Sequence, residues 1–194
     1  MTSQFNASID KTPQFRTTSP LKLEKCAIAV TKYGPVTNLN NVEVPTPDAP
    51  QGHDILVLIK ACSVNPVDTK VRAGVYDDYP DYYERTPPLP QILGFDAAGV
   101  IHAVGSGVKD FKASDEVFYA GSPIRQGSSA ELQLVDSRSV ALKPKELDFA
   151  QAAAMPLTWI TAWEALVERM GIQSGEEAGI LIINGSGGVG SVAS

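Results

Sequence analysis

A glycine-rich turn near the end of the 194-residue chain has the spacing that most directly indicates cofactor chemistry. Gly185, Gly187 and Gly190 form a G-x-G-x-x-G pattern directly after the apolar run at residues 179–183. After a buried strand, such glycines permit a tight turn, let the backbone approach a pyrophosphate and let the next helix pack closely. The alternative is a flexible Gly/Ser terminus, but the preceding strand-like run favours phosphate binding at the helix N-terminus. The predicted cofactor-binding turn consists of Gly185, Ser186, Gly187, Gly188, Val189 and Gly190.

The part of a dinucleotide site that distinguishes NAD from NADP does not follow this turn. The side chain that holds the ribose, or accepts a 2′-phosphate, lies about 20 residues further on, and a complete βαβ unit needs about 30 residues. We therefore expect a C-terminally truncated cofactor domain. Two hypotheses stay open: a part of an enzyme, or an inactive or purely interacting protein.

Composition excludes several classes of partner. The net charge of −6 argues against nucleic acid and anionic membranes, which attract clustered Lys and Arg. No apolar run reaches the roughly 20 residues that span a bilayer. The polar N-terminus has no hydrophobic centre typical of a secretory signal, so we expect a cytoplasmic protein. Two cysteines, Cys26 and Cys62, are too few for a disulfide framework, and we expect them to be reduced and buried.

Most of the chain has the pattern of short strands separated by Gly and Pro turns. The clearest is at residues 54–64, where apolar residues occupy both faces. A single helical turn is expected at residues 69–72, and the tyrosine- and proline-rich residues 76–90 are expected to form a loop. This arrangement favours a barrel over a layered α/β sheet. Further strands are expected at residues 25–31, 92–104, 116–120 and 130–135, with an edge strand and loop at 38–53.

The periodicity becomes helical near residue 149. Residues 149–155 and 157–170 favour helices, with Gly171 as the stop signal. Residues 179–183 then favour a strand buried in a parallel sheet. These patterns divide the chain into a flexible extension at 1–20, a β domain at 21–148, and a linking helix with the start of a cofactor domain at 149–194.

Five strings, in this order, resemble the medium-chain dehydrogenase/reductase superfamily. They are SVNPVDTKVRAG at 63–74, ILGFDAAGVIHAVG at 92–105, DEVFYAG at 115–121, AAAMPLTWITAWEAL at 152–166 and GSGGVG at 185–190. They are most similar to the quinone oxidoreductase-like branch and its zinc-type alcohol dehydrogenase-like subgroup. The resemblance implies a mainly β GroES-like barrel, the catalytic domain, followed by the first strand and phosphate loop of an α/β Rossmann domain, with the active site between them.

The same strings argue against a catalytic zinc ion. The zinc-dependent members carry Cys, His or Glu ligands in the first two strings and a further ligand in the later helix. Here those positions hold Asn65, Gly94-Phe95-Asp96 and about Leu157. Catalytic zinc needs three protein ligands of the Cys, His or carboxylate type. We therefore predict no metal site.

The resemblance also suggests roles for four side chains. Asn65 matches a polar residue beside the nicotinamide, where its amide would donate to a substrate carbonyl or hold the nicotinamide ribose. Its alternative is a turn or helix cap before Pro66. Asp68 is either a cofactor contact or a brace of the same turn. Tyr76 matches a tyrosine near the cofactor, and from there its hydroxyl would donate to a developing enolate. Thr161 matches a threonine facing the nicotinamide amide, and its alternative is a hydroxyl bonded to its own helix.

Together with the resemblance, these expectations predict an enzymatic function. Without a Lewis acid, hydrogen bonds must polarise the substrate carbonyl, which suits hydride delivery to an activated C=C bond. We therefore expect an NAD(P)H-dependent reductase of enones or quinones, with NADP(H) favoured over NAD(H). A dehydrogenase that tailors a secondary metabolite is the alternative enzyme. The sequence leaves a homodimer open without fixing the oligomeric state.

Overall fold

A computed structural model describes residues 25–76, 81–175 and 179–194. Eight strands in this part of the chain form two sheets, with orders β2-β1-β4 and β7-β3-β5-β6-β8. Every strand pair is antiparallel. The strands are β1 (Lys25–Val30), β2 (Leu39–Val44), β3 (Asp54–Ser63), β4 (Gln91–Ile92), β5 (Asp96–Val104), β6 (Glu116–Ala120), β7 (Leu132–Asp136) and β8 (Val140–Leu142).

The two sheets are joined into a barrel by the segment at residues 129–131. The Ile28 N–H donates to the carbonyl of Ser129 (2.8 Å), and the Ile59 N–H donates to the carbonyl of Glu131 (2.9 Å). A single antiparallel bridge pairs Ala27 with Ala130. The segment therefore contacts one strand from each sheet, which confirms the barrel predicted from the short strands.

The barrel interior is filled by alternate residues of the long strands. Ile55 and Val57 of β3 pack with Ile101 of β5 and Val117 of β6, and all four are almost completely buried. This alternation is the period of two that places successive side chains on opposite faces of a strand. The interior is thus a packed apolar core, and the polar groups that could do chemistry lie at the ends of the strands.

Helices follow the barrel strands at one end and continue beyond the barrel. Helix α1 (Pro66–Ala73) follows β3 and ends at Gly74, which has the left-handed conformation that favours glycine. The others are α2 (Tyr82–Arg85), α3 (Phe149–Ala153), α4 (Pro156–Trp163), a π-helical continuation at Glu164–Arg169, and α5 (Gly188–Ala193). Helix α3 packs on β5 through Ala152, Ala153 and Ala98.

Several local expectations differ from the structure. Helix α1 has two turns instead of one, because Asn65 caps it and Pro66 opens it. Cys26 and Cys62 lie in strands as expected but are exposed, because they occupy the outward-facing positions of β1 and β3.

Residues 180–183 are not assigned to a strand, although the sequence pattern favours one there. A strand exists only through its hydrogen-bonded partner, and in the described part of the chain nothing pairs with this segment. Leu181 and Ile183 are 86% and 85% exposed as a result.

The flexible extension expected at 1–20 lies outside the described residues. Within the described ranges, no helix combines the length and apolar character needed to cross a membrane.

Candidate functional site

A cleft of about 710 Å³ separates the end of the barrel from α4 and the glycine turn. Its barrel wall includes Ser63 and Asn65, at the point where β3 leads into α1. The facing walls are formed by α4 with its π-helical continuation and by residues 180–193, which include the glycine turn and α5. Of the predicted site residues, Asn65, Gly187, Gly188, Val189 and Gly190 line this cleft.

A buried carboxylate behind the cleft wall connects three distant chain segments. Asp96 is completely buried at the start of β5. Its Oδ2 accepts hydrogen bonds from Asn65 Nδ2 (2.8 Å) and Ser63 Oγ (3.0 Å), and its Oδ1 accepts from the Leu157 N–H (2.9 Å). Burial raises the pKa of Asp96 above its usual value, although these donors stabilise the carboxylate.

A second buried carboxylate secures the same corner. Asp68 is 6% exposed, and its two oxygens accept from the Asn65 N–H (2.7 Å) and the Gly94 N–H (2.9 Å). Burial is the main cause that raises the pKa of Asp68, and the charge of Asp96 adds to it. Asp68 thus braces the Asn65 turn, which was one of its two expected roles, and it does not line the cleft.

Removing the Asp68 carboxylate should destabilise the fold more than removing an exposed helix cap. Asp68→Ala leaves two buried N–H groups without their acceptor, so we expect a loss of about 2 kcal/mol in the free energy of unfolding. The matched control is Asp148→Ala, because Asp148 caps α3 at the surface by accepting from the Gln151 N–H (2.7 Å). Its loss should be about 1 kcal/mol. Urea denaturation of both variants measures the difference, and equal losses would contradict the bracing role.

The residues at the three zinc-ligand positions do not fit a tetrahedral zinc ion. The Asn65 amide nitrogen donates to Asp96, and its lone pair is delocalised into the amide carbonyl, so it does not serve as a zinc ligand. Phe95 and Leu157 pack in an apolar cluster with Val30 and Val71. In the ranges that the structure describes, no three His, Cys, Asp or Glu side chains lie close enough together to hold a metal ion.

Close contacts surround the second and third glycines of the turn but not the first. A Cβ at Gly190 would lie 2.2 Å from the Asn184 carbonyl oxygen, and one at Gly187 would lie 2.6 Å from the Asn184 side-chain nitrogen. At Gly185 the nearest atom would be 3.7 Å away. Helix α5 begins inside the predicted turn, at Gly188, and continues through the small residues that follow it. Gly190 therefore allows the helix to approach the preceding chain, which is the packing role of the third glycine.

Tyr76 and Thr161 lie outside the residues that line the cleft. Tyr76 packs edge-to-face on Tyr82 (4.7 Å between ring centroids), and its N–H donates to the Tyr83 hydroxyl (2.9 Å). The exposed Thr161 donates its hydroxyl to the Leu157 carbonyl of its own helix (2.7 Å). Their roles in catalysis and cofactor binding stay predictions.

Sequence reasoning missed two residues of the site. Thr158 lines the cleft opposite Gly188, where a Cβ would lie 3.3 Å from the Thr158 methyl group. Its position three residues before Thr161 gives no separate sequence signal. Asp96 did carry a signal, since it is the one carboxylate in a mostly apolar strand, and such a residue needs partners when buried.

Comparison with known proteins identifies the fold family. Residues 51–145 match the alcohol dehydrogenase GroES-like domain. The chain is also 45% identical over 157 residues to a zinc-type alcohol dehydrogenase-like protein of Staphylococcus epidermidis, covering 79% of this chain and 43% of that protein. The chain belongs to the medium-chain dehydrogenase/reductase superfamily. Within the superfamily, the chain resembles the quinone oxidoreductase-like branch and its zinc-type alcohol dehydrogenase-like subgroup, as the five sequence strings predicted.

Two further superfamily members are similar over a comparable length. The chain is 42% identical over 169 residues to the chloroplastic NADPH-dependent alkenal/one oxidoreductase of Arabidopsis thaliana, covering 82% of this chain and 41% of that protein. It superposes on the quinone oxidoreductase of Coxiella burnetii with a TM-score of 0.76 and 30% identity, covering 87% of this chain and 51% of that one. The chain therefore spans about half the length of the superfamily members it matches.

Proposed function

We propose that this chain provides the barrel and the cleft wall of a zinc-independent oxidoreductase that uses NADPH to reduce activated C=C bonds or quinones. The observation that carries this proposal is the Asp96 network. At the positions where zinc-dependent members hold their metal, this chain has Asn65, Phe95 and Leu157, and the Asn65 amide is bonded to the neighbouring buried carboxylate of Asp96 (2.8 Å). In the proposed reaction, hydrogen bonds polarise the substrate carbonyl in place of a Lewis acid.

The cleft supports the choice of a nicotinamide cofactor. Asn65 on the barrel and the Gly187–Gly190 part of the turn line the same cavity. The glycine turn offers the close backbone approach that a pyrophosphate needs. A bound nicotinamide would supply the hydride. The chain's own part is to orient the cofactor along the turn and to present polar groups from the barrel to the substrate.

The names of two relatives support the substrate class. One is an alkenal/one oxidoreductase and one is a quinone oxidoreductase, and the first is NADPH-dependent. Both substrate types have a C=C bond conjugated to a carbonyl, so hydride addition places negative charge on an oxygen. Stabilising that oxygen by preorganised donors is a general electrostatic mode of catalysis. Asn65, which lines the cleft, is the donor we propose for this role. Tyr76 lies outside the cleft lining, and its role as a donor stays a prediction from the resemblance.

Turnover without zinc is the test of the proposed function. The product of the full reading frame that encodes this chain is dialysed against a chelator and assayed with NADPH and either an enone or a quinone. We expect NADPH oxidation to continue at the undialysed rate, with zinc well below one equivalent by elemental analysis. Activity that disappears on chelation and returns with zinc would contradict the proposal. NADPH oxidation should also exceed NADH oxidation at equal concentration.

A further inference from the structure

Helix α4 begins without a cap from its own sequence. The residue before it is Met155, which makes no side-chain capping hydrogen bond, and its first turn contains no acidic residue. The first N–H groups of a helix have no acceptor inside the helix. The Leu157 N–H is one of these groups, and Asp96 of the barrel accepts it.

The same Asp96 carboxylate holds the barrel side of the cleft. Its other oxygen accepts from Asn65 and Ser63, at the end of β3. One completely buried side chain therefore connects the cleft wall that carries Asn65 to the cleft wall formed by α4. In sequence these groups are 31, 33 and 61 residues from Asp96.

We propose that Asp96 is a positioning residue that caps α4 from the barrel and fixes the distance and angle between the two walls of the cleft. Zinc would join the corresponding three segments through its protein ligands. In this chain one carboxylate joins them through three hydrogen bonds. Asn65 is held at the same time, because its amide nitrogen donates to Oδ2 of the carboxylate whose Oδ1 accepts from α4.

Amide hydrogen exchange of Leu157, measured by NMR, tests this proposal in the 194-residue chain. In the wild type we expect Leu157 to be protected, although its position in the first helical turn offers no intrahelical acceptor. Asp96→Ala should speed Leu157 exchange at least about tenfold relative to the Val57 amide in the same sample, because a lost local acceptor opens only the local group. Asp96→Asn keeps one oxygen that accepts from Leu157, so the ratio of the Leu157 to the Val57 exchange rate should stay within about threefold of the wild-type ratio.

A matched control separates local positioning from a general loss of stability. Gln133 is also buried, and its side chain accepts from the Tyr119 hydroxyl (2.9 Å) and donates to the Gln126 carbonyl (3.0 Å). Gln133→Ala removes a buried polar group away from α4, so the Leu157 to Val57 exchange ratio should not change. The chain's two tryptophans, Trp159 and Trp163, both lie in α4. Their fluorescence anisotropy should fall in Asp96→Ala and not in Gln133→Ala.

Two results would overturn the proposal. One is a wild-type Leu157 amide that exchanges as fast as an unprotected amide. This result does not depend on whether any variant folds. The other is an Asp96→Ala protein with unchanged Leu157 exchange and tryptophan anisotropy.

The connection to cofactor binding rests on the proposed function and is tested separately. In the full reading-frame product, Asp96→Ala should weaken NADPH binding at least about tenfold, with Gln133→Ala within twofold. Absence of NADPH binding by the wild type would reject the proposed function and leave the exchange results to decide the positioning role.

Discussion

Gly190→Ala is expected to weaken NADPH binding at least about 100-fold in the full reading-frame product. The alanine Cβ would lie 2.2 Å from the Asn184 carbonyl oxygen and 2.8 Å from the Gly185 Cα. Both atoms belong to the backbone, so the clash cannot be relieved by a side-chain rotation. The turn and α5 must separate, and the N–H groups at the start of α5 then lose the alignment that favours phosphate binding. A 100-fold loss corresponds to about 2.8 kcal/mol.

Gly179→Ala is the control for this substitution. A Cβ at position 179 would meet nothing within 4 Å, and the residue precedes the turn. The change from glycine to alanine is the same, so the effect on the flexibility of the unfolded chain is comparable. We expect its NADPH affinity to stay within twofold of the wild type in a fluorescence titration. If Gly190→Ala bound NADPH as tightly as Gly179→Ala and the wild type, the glycine turn would not bind the cofactor.

The barrel could be predicted from the sequence because its strands carry their own pattern. β3 and β6 have alternating or two-sided apolar residues, bounded by Gly and Pro turns, and their observed positions match the expected ones closely. β8 was missed because Val140–Leu142 is too short for a period to be recognised. The strand expected at 180–183 shows the limit of such patterns, since its apolar residues indicate burial but cannot supply the neighbouring strand.

The candidate site was predicted in part for a similar reason. The glycine turn is local in sequence, and Asn65 stands in a recognisable turn before Pro66. The carboxylate that connects Asn65 to α4 acts over separations of 31 and 61 residues. No spacing rule brings Asp96 together with Leu157, because their contact depends on how α4 is placed against the barrel. Sequence therefore indicated which groups were present, and only the fold showed which of them share a hydrogen-bond network.

Gly127→Ala should destabilise the barrel by about 3 kcal/mol, close to the upper end for overpacking a buried position. Gly127 lies in the turn that covers the entry to β5. The N–H groups of Gly127, Ser128 and Ser129 donate to the carbonyls of residues 92, 94 and 93 at 2.8, 3.1 and 2.9 Å. A Cβ at Gly127 would lie 2.3 Å from the Leu93 carbonyl carbon and oxygen and 2.8 Å from the Gly94 nitrogen. The turn must move away, and these three hydrogen bonds are strained together.

Gly121 provides a matched control at the other end of the same turn. Its N–H donates to the Phe95 carbonyl (2.7 Å), but a Cβ there would meet no atom closer than 3.5 Å. Gly121→Ala should therefore change the free energy of unfolding by less than about 1 kcal/mol, with a small gain from the stiffer unfolded chain.

For a chain of this length, the 3 kcal/mol expected for Gly127→Ala corresponds to a fall of roughly 6–12 °C in Tm. The damage from Gly127→Ala should extend to the cleft, because Gly94 also donates to Asp68 and residue 96 begins β5. Calorimetry of both variants, together with the Leu157 amide exchange in each, measures these effects. A Gly127→Ala protein that melts with the wild type would show that the turn can shift without strain and does not hold the entry to β5.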